Sequence, residues 1–334
     1  MKRVLSLVLA AMLLVCLLAG CASDAPEAVQ TPAVSEEPTT IRVGAMTGPT
    51  AMGMVKLMDD SDNGKTENKY EFSLQTEATA FAPALTKGEI DIAAVPANLA
   101  SVIYNNTDGG IKVLAVNATG VLYIVERGDS INDLADLAGK KIYATGEGAT
   151  PEYALKYLLK ENGLEGDKAP EIQWCADTTE ALSYINNDEN AIAMLPQPFV
   201  TAAQAKVNDL RIAINLNEQW QAVNDGASMA TGVLVVRTEF AEKYPQQLEK
   251  FMQEYASSVE YVNENTEQAA QLIGNYEIVK APIAQKALPY CNICCITGDE
   301  LKECFGGYLS ALYDMNLQSV GGKLPDDGIY YAEK

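Results

Sequence analysis

Two α/β lobes joined by a two-segment hinge are what this sequence predicts, and three observations carry the prediction. Ile41 to Met58 spells a strand, a glycine turn and a helix, and Lys141 to Leu159 spells the same order again. Two mostly apolar runs that end in polar turns, Ile90 to Asn98 and Ala191 to Pro198, suit strands buried on both faces of a parallel sheet. A chain of 334 residues is too long for one small domain and fits two of ordinary size.

Taken in order, Lys2 and Arg3 precede an apolar run from Val4 to Leu18, the pattern of a signal segment. A spanning helix needs about 20 apolar residues, so this run is marginal for that role. Leu18, Ala19, Gly20 and Cys21 resemble the bacterial lipobox, and the resemblance implies cleavage before Cys21 and a diacylglycerol anchor on its sulfur. Residues 1–20 are expected to be a signal peptide. Residues 21–40 then form an acidic tether, with Pro26, Pro32 and Pro38 among Asp24, Glu27, Glu36 and Glu37, which cannot bury enough surface to order itself.

The folded body begins near Ile41. After the strand to Met46 and the turn Thr47 to Thr50, Ala51, Met54, Val55 and Met58 share one face of a helix. Tyr70 to Thr76 alternates like a strand, Ala78 to Leu85 reads as a short helix, and strands follow at Ile90 to Asn98, Ile111 to Gly120 and Val121 to Glu126. The second copy runs from a strand at Lys140 to Thr145 into a helix, with Thr150 as N-cap, Pro151 at the first helical position and Glu152 beside the positive helix end. Ile172 to Ala176 is a strand, Thr179 to Ile185 a helix, and Ala191 to Pro198 and Leu210 to Leu216 are strands. Ala230 to Arg237 can carry the chain back to the first lobe. Leu248, Phe251, Met252, Tyr255, Val259 and Val262 then keep helical spacing, Thr297 to Glu300 forms a capping-box pattern ahead of Leu301 and Phe305, and Leu324 to Tyr331 reads as turn plus edge. The predicted lobes are 41–122 with 233–334, and 123–232, with the hinge near Gly120 to Val125 and Thr231 to Val235.

Composition excludes several functions. The formal net charge of −21 argues against a nucleic-acid partner and against a general hold on anionic lipid. Histidine is absent, which removes Ser/His/Asp and Cys/His nucleophiles and every His-containing metal site. Outside the leader and Cys21, the cysteines are Cys175, Cys291, Cys294, Cys295 and Cys304, an odd number that leaves at least one thiol free. They are read as small buried residues; no metal or cofactor is predicted.

A helix start aims unpaired N–H groups beyond its strand, so Thr47, Gly48, Pro49 and Thr50 form one candidate ligand turn, and Gly146, Gly148, Thr150 and Pro151 the other. Asn98, Asn117, Thr119, Gln197 and Thr231 stand at or just past strand ends and complete a lining with donors and acceptors but no Arg or Lys. That tilts the ligand towards a small organic molecule with amide, amine or carboxyl groups. Tyr123 and Trp220 could stack on an aromatic ligand, whereas Trp174 reads as strand packing.

The lipobox, the acidic tether, Thr47 to Thr50 leading into a helix, Gly146 to Tyr153 and Leu195 to Thr201 together resemble an ABC-transporter substrate-binding lipoprotein of the sulfonate, nitrate, taurine and thiamine-pyrimidine branch. The resemblance covers Ile41 to the C-terminus. It implies the type II periplasmic-binding-protein fold, capture of a small organic nutrient such as a sulfonate or thiamine-pyrimidine between the lobes, and delivery to an ABC permease by a monomer anchored on the outer face of the cytoplasmic membrane. Fungal pyrimidine-precursor synthases resemble this branch in fold and use a histidine that this chain lacks. An enzyme on the same scaffold, working with Glu147, Glu152 or the cysteines, is one rival reading; a surface protein binding a macromolecule is the other.

Overall fold

Apolar residues in unbroken runs form the inner strands of two sheets. The computed structural model describes residues 40–332; the predicted signal peptide, Cys21 and most of the tether lie outside them. The first strands are β1 (Thr40–Met46), β2 (Lys69–Gln75), β3 (Ile92–Pro96) and β4 (Ile111–Thr119), with helices α1 (Pro49–Met52), α2 (Val55–Asp62), α3 (Phe81–Thr86) and α4 (Ala97–Asn106) between them. The second set is β5 (Leu122–Arg127), β6 (Lys141–Thr145), β7 (Glu171–Cys175), β8 (Ile192–Pro196) and β9 (Leu210–Asn215), with α5 (Thr150–Glu161), α6 (Thr178–Asn187), α7 (Phe199–Gln204) and α8 (Leu216–Val223). The chain ends through β10 (Ala230–Arg237), α9 (Thr238–Lys243), α10 (Pro245–Glu264), α11 (Thr266–Asn275), α12 (Ala281–Ala287), β11 (Ile293–Ile296) and α13 (Gly298–Met315).

The first sheet has the order β11-β4-β10-β3-β1-β2 and the second β7-β6-β8-β5-β9. In the first, β1, β2 and β3 are parallel, and β10 runs antiparallel between β3 and β4. In the second, β6, β7 and β8 are parallel and β5 runs antiparallel between β8 and β9. β11 is a second reversed strand, at the edge of the first sheet beside β4; the reversed strands in the interior, β10 and β5, are the ones that follow a crossing. Leu122 pairs with Pro196 in the second sheet, and Ala230 and Gly232 pair with Thr119 and Ala118 in the first. The chain thus leaves the first sheet through Gly120 and Val121 and returns through α8 and residues 224–229.

Several elements differ from the sequence reading. The helix expected over 51–58 is two helices with a break at Gly53 and Met54, although all four predicted residues are buried. A Cβ at Gly53 would come within 2.9 Å of Ile293 and 3.0 Å of the Tyr255 hydroxyl, so glycine lets α10 and β11 press against this turn. The N-cap of α5 is Ala149, with Thr150 already helical. Thr297 is the N-cap of α13 without a side-chain bond, so the capping box does not form there. Asp133 and Asp136 make a capping box that the sequence reading lacked.

The core crosses from sheet to sheet. Leu301, Phe305, Tyr308, Leu309 and Leu312 of α13 are buried in one cluster with Val113, Val116 and Val233 of the first sheet and with Leu155, Leu158 and Trp220 of the second half. The other face of the first sheet packs on α10 through Phe251, Tyr255 and Val262.

Candidate functional site

Strand direction decides where the two predicted turns stand. Because β10 reverses between β3 and β4, the carboxyl ends of β1 to β4 share one edge of the first sheet, where β10 begins. Likewise the carboxyl ends of β6 to β9 share the edge where β5 begins. Only Gly120 and Val121 separate the end of β4 from the start of β5, so the two carboxyl edges meet at that junction. The Thr47 and Gly146 turns follow β1 and β6 on these edges, and open α/β sheets bind ligands in the crevice beyond such ends.

The junction is tied down from a third segment. Asn292 Nδ2 donates to Gly120 O at 2.6 Å, Asn292 O accepts from Thr119 N at 3.1 Å, and the buried Tyr123 hydroxyl donates to Tyr290 O at 2.7 Å. Burial raises the Tyr123 pKa. Tyr123 is therefore fixed in the interior, and its ring meets Tyr290 edge-on. Trp220 is buried between Tyr157 and Tyr308, which places it in the core.

The predicted polar residues divide into groups. Thr47 Oγ1 donates to Gln75 O at 2.9 Å and Thr50 Oγ1 to Met46 O at 2.5 Å, so both hydroxyls brace the first turn. Gly48, at φ 120, supplies a backbone conformation closed to L side chains, its carbonyl accepts from Ala51 and Met52, and Pro49 enters the helix without an N–H. In the second turn Gly146 and Gly148 also have positive φ, and Pro151 sits against Gly146. Gly148 N donates to Glu152 Oε2 at 2.6 Å, and the same carboxylate pairs with Lys156. Thr150 is half-buried at the helix start.

Asn98 Nδ2 donates to Ser319 O at 3.2 Å, and Thr231 Oγ1 donates to Ala118 O and Thr119 O, each at 3.1 Å. Thr119 is buried on the last position of β4. Asn117 donates to Thr50 O at 3.2 Å and lies beside the fully buried Tyr255 hydroxyl, yet neither Asn117 Oδ1 nor that hydroxyl completes a hydrogen bond. Gln197 accepts from Thr201 N and Oγ1 through Oε1, and its Nε2 is unpartnered although the residue is 98% buried, being 2% exposed. The backbone N of Gln197 donates to Val121 O at 2.9 Å, which sets the backbone of this residue beside the junction.

The five cysteines are free thiols. Burial pushes the pKa of Cys291, Cys294 and Cys304 up to about 12 and that of Cys295 to about 11. Thiols held protonated in this way are poor nucleophiles and poor metal ligands. No group of three or more metal-ligating side chains occurs among the described residues. A cavity of about 680 Å³ opens between Ala202, Ala205 and Lys206 on one side and Gly274, Val279 and Ile283 on the other, and none of the predicted residues lines it.

The sequence is matched over residues 63–281 by a family model described as ABC transporter, phosphonate, periplasmic substrate-binding protein. No curated protein matches it. Among solved structures it is similar to an ABC transporter protein from Parabacteroides distasonis, with 22% identity over 89% of this chain and all of that one, and a TM-score of 0.75. The periplasmic aliphatic sulphonate binding protein SsuA from Escherichia coli matches with 16% identity over 89% of this chain and 94% of that one, at a TM-score of 0.71. The CA3427 product of Candida albicans, described as having the generic periplasmic binding protein fold, matches with 14% identity over 87% of this chain and 93% of that one, at 0.53. Such likeness shows a common fold.

Proposed function

Because the chain belongs to the phosphonate family of ABC-transporter periplasmic substrate-binding proteins, and so serves an importer by binding a small solute, we propose that the solute is held where the two carboxyl edges meet. What supports this placement is the two-residue junction Gly120 and Val121, which joins the edge carrying the ends of β1 to β4 to the edge carrying the ends of β6 to β9. The proposed lining is Thr47 to Thr50, Asn98, Asn117, Thr119, Gly146, Gly148, Thr150, Pro151, Gln197 and Thr231. Of these, Gln197 keeps a buried Nε2 without a partner, while Asn117, Thr50 and Thr231 serve mainly to hold the walls.

In this reading the two sheets are lobes, residues 120–121 and 216–229 flex, and binding stabilises the closed arrangement by burying the ligand and satisfying its polar groups. The protein works as a monomer, held by lipid on Cys21 to the outer face of the membrane, and hands its ligand to a permease without chemistry. The raised thiol pKa values and the engagement of Glu152 with Gly148 and Lys156 favour binding over catalysis.

A ligand at about 100 times its dissociation constant adds about 2.7 kcal/mol of stability. A thermal-shift screen of small organic solutes is expected to raise the midpoint with at least one class, and the bound compound should be recovered unchanged. A screen that is silent throughout, or a ligand that is turned over, contradicts the reading.

A further inference from the structure

The segment that follows α13 joins the two carboxyl edges. Helix α13 ends at Met315, and Asn316 opens a tight turn of helix, Leu317–Val320, whose carbonyls are taken up by the first half of the molecule. Asn98 Nδ2 donates to Ser319 O at 3.2 Å, Ser101 Oγ to Val320 O at 2.7 Å, and Asn105 Nδ2 to Val320 O at 3.0 Å. All three donors lie on α4, which begins directly at the end of β3. Gly321, at φ 88, ends the turn so close to α4 that a Cβ there would come within 3.1 Å of Val102. This end of the segment is therefore fixed to the first wall.

The other end reaches the second wall. Asn316 Nδ2 donates to the Tyr153 hydroxyl at 2.9 Å, and that hydroxyl donates to Gly148 O at 3.2 Å. One run of contacts thus leads from Gly148 through Tyr153, Asn316 and Ser319 to Asn98. Its two ends are residues of the proposed lining, one from the carboxyl edge of each sheet.

Helix α5 does not need this contact for its own anchorage. Leu155 and Leu158 hold it in the core, and the Tyr157 hydroxyl donates to Asn224 Oδ1 at 2.9 Å on the returning segment. What the Tyr153 hydroxyl fixes is the Gly148 carbonyl, in a turn whose two glycines at positive φ give it little stiffness of its own. Asn316 suits both of its tasks: Oδ1 accepts from Gln318 N at 3.0 Å and caps the tight turn, which leaves Nδ2 for Tyr153.

We infer that Tyr153 and Asn316 are positioning residues for the bound solute: residues 316–320 strap the second ligand turn to the first wall, and the strap and the closed, occupied crevice stabilise one another. The inference rests on the crevice being the binding site, as proposed above. A solute held between two walls leaves only after bonds across them break, so the strap acts on release more than on capture.

The test compares the protein with Tyr153→Phe, Asn316→Asp and the double variant. Tyr153→Phe keeps the ring and removes the hydroxyl; Asn316→Asp keeps an acceptor for Gln318 N and loses the donor. Methylphosphonate, ethanesulfonate, thiamine and cytosine are first screened by thermal shift on the wild type. Release of whichever binds is expected to be about twofold to tenfold faster from either single variant, with capture unchanged and no further loss in the double variant, since each substitution breaks the same run of bonds. In the unliganded variants, amide hydrogen exchange should quicken over residues 146–152 and stay as it was in β1 and β10. Unchanged release, additive effects of the two substitutions, or undisturbed exchange over 146–152 overturns this inference and leaves the transport reading in place. Silence from all four solutes counts against the transport reading itself, and the inference falls with it.

Discussion

Glu126 carries a charge inside the second sheet's amino edge, 1% exposed, and every contact it makes serves to keep that charge. Burial raises its pKa, but hydrogen bonds from Ile131 and Ser130 and the Arg211 guanidinium outweigh burial and hold the carboxylate below its usual range. A depressed folded-state pKa contributes stability above the unfolded value, and that contribution is lost as pH falls through the folded one. Glu126→Gln should therefore cost about 1–3 kcal/mol at pH 7. The difference from wild type should shrink below about pH 4, as the native carboxylate is protonated too. Urea denaturation at the two pH values checks this, and an equal difference at both would refute it. At this scale the sequence was informative about backbone and poor about side chains. The glycine turns at Gly48, Gly146 and Gly148 were legible because positive φ has few other occupants. That Thr47 and Thr231 bond to carbonyls of their own walls was not, since those partners lie on strands far apart in the chain, and the local bond of Thr50 to Met46 O depends on how the turn closes.

Strands were easier to read than the helices that follow them. Continuous apolar runs marked β3 and β8. The helices α4, α7 and α8 begin one or three residues after a strand, or directly at its end, so their apolar faces merged with the strand pattern and went unread. The segment ahead of β11 was read only for its cysteines, yet it secures the junction through Asn292. That residue has φ 46, a conformation asparagine tolerates better than most L residues. Asn292→Ala should lose both the bond to Gly120 O and the backbone preference, destabilising by about 1–2 kcal/mol. Asn292→Gly restores the backbone freedom and should recover part of the loss. Equal denaturation midpoints for the two variants would show that the conformation contributes nothing.

Two sheets with one shared core make a molecule whose halves cannot act as strangers. The plan of two lobes was legible from the returning strand, turn and helix. The role of α13 was not, because helical spacing tells which face is apolar and leaves open what that face will touch. Leu301, Phe305 and Leu312 complete a cluster that contains residues of both sheets. Calorimetry should accordingly record one cooperative transition in the absence of ligand. Two resolved peaks would mean that α13 belongs energetically to a single half. The position of this helix near the end of the polypeptide also governs the order of assembly. Before residues 301–312 are made, the face that both sheets share lacks Leu301, Phe305 and Leu312, whereas the opposite face of each sheet has all of its covering side chains, so sealing of the shared face is expected to be the last step of assembly.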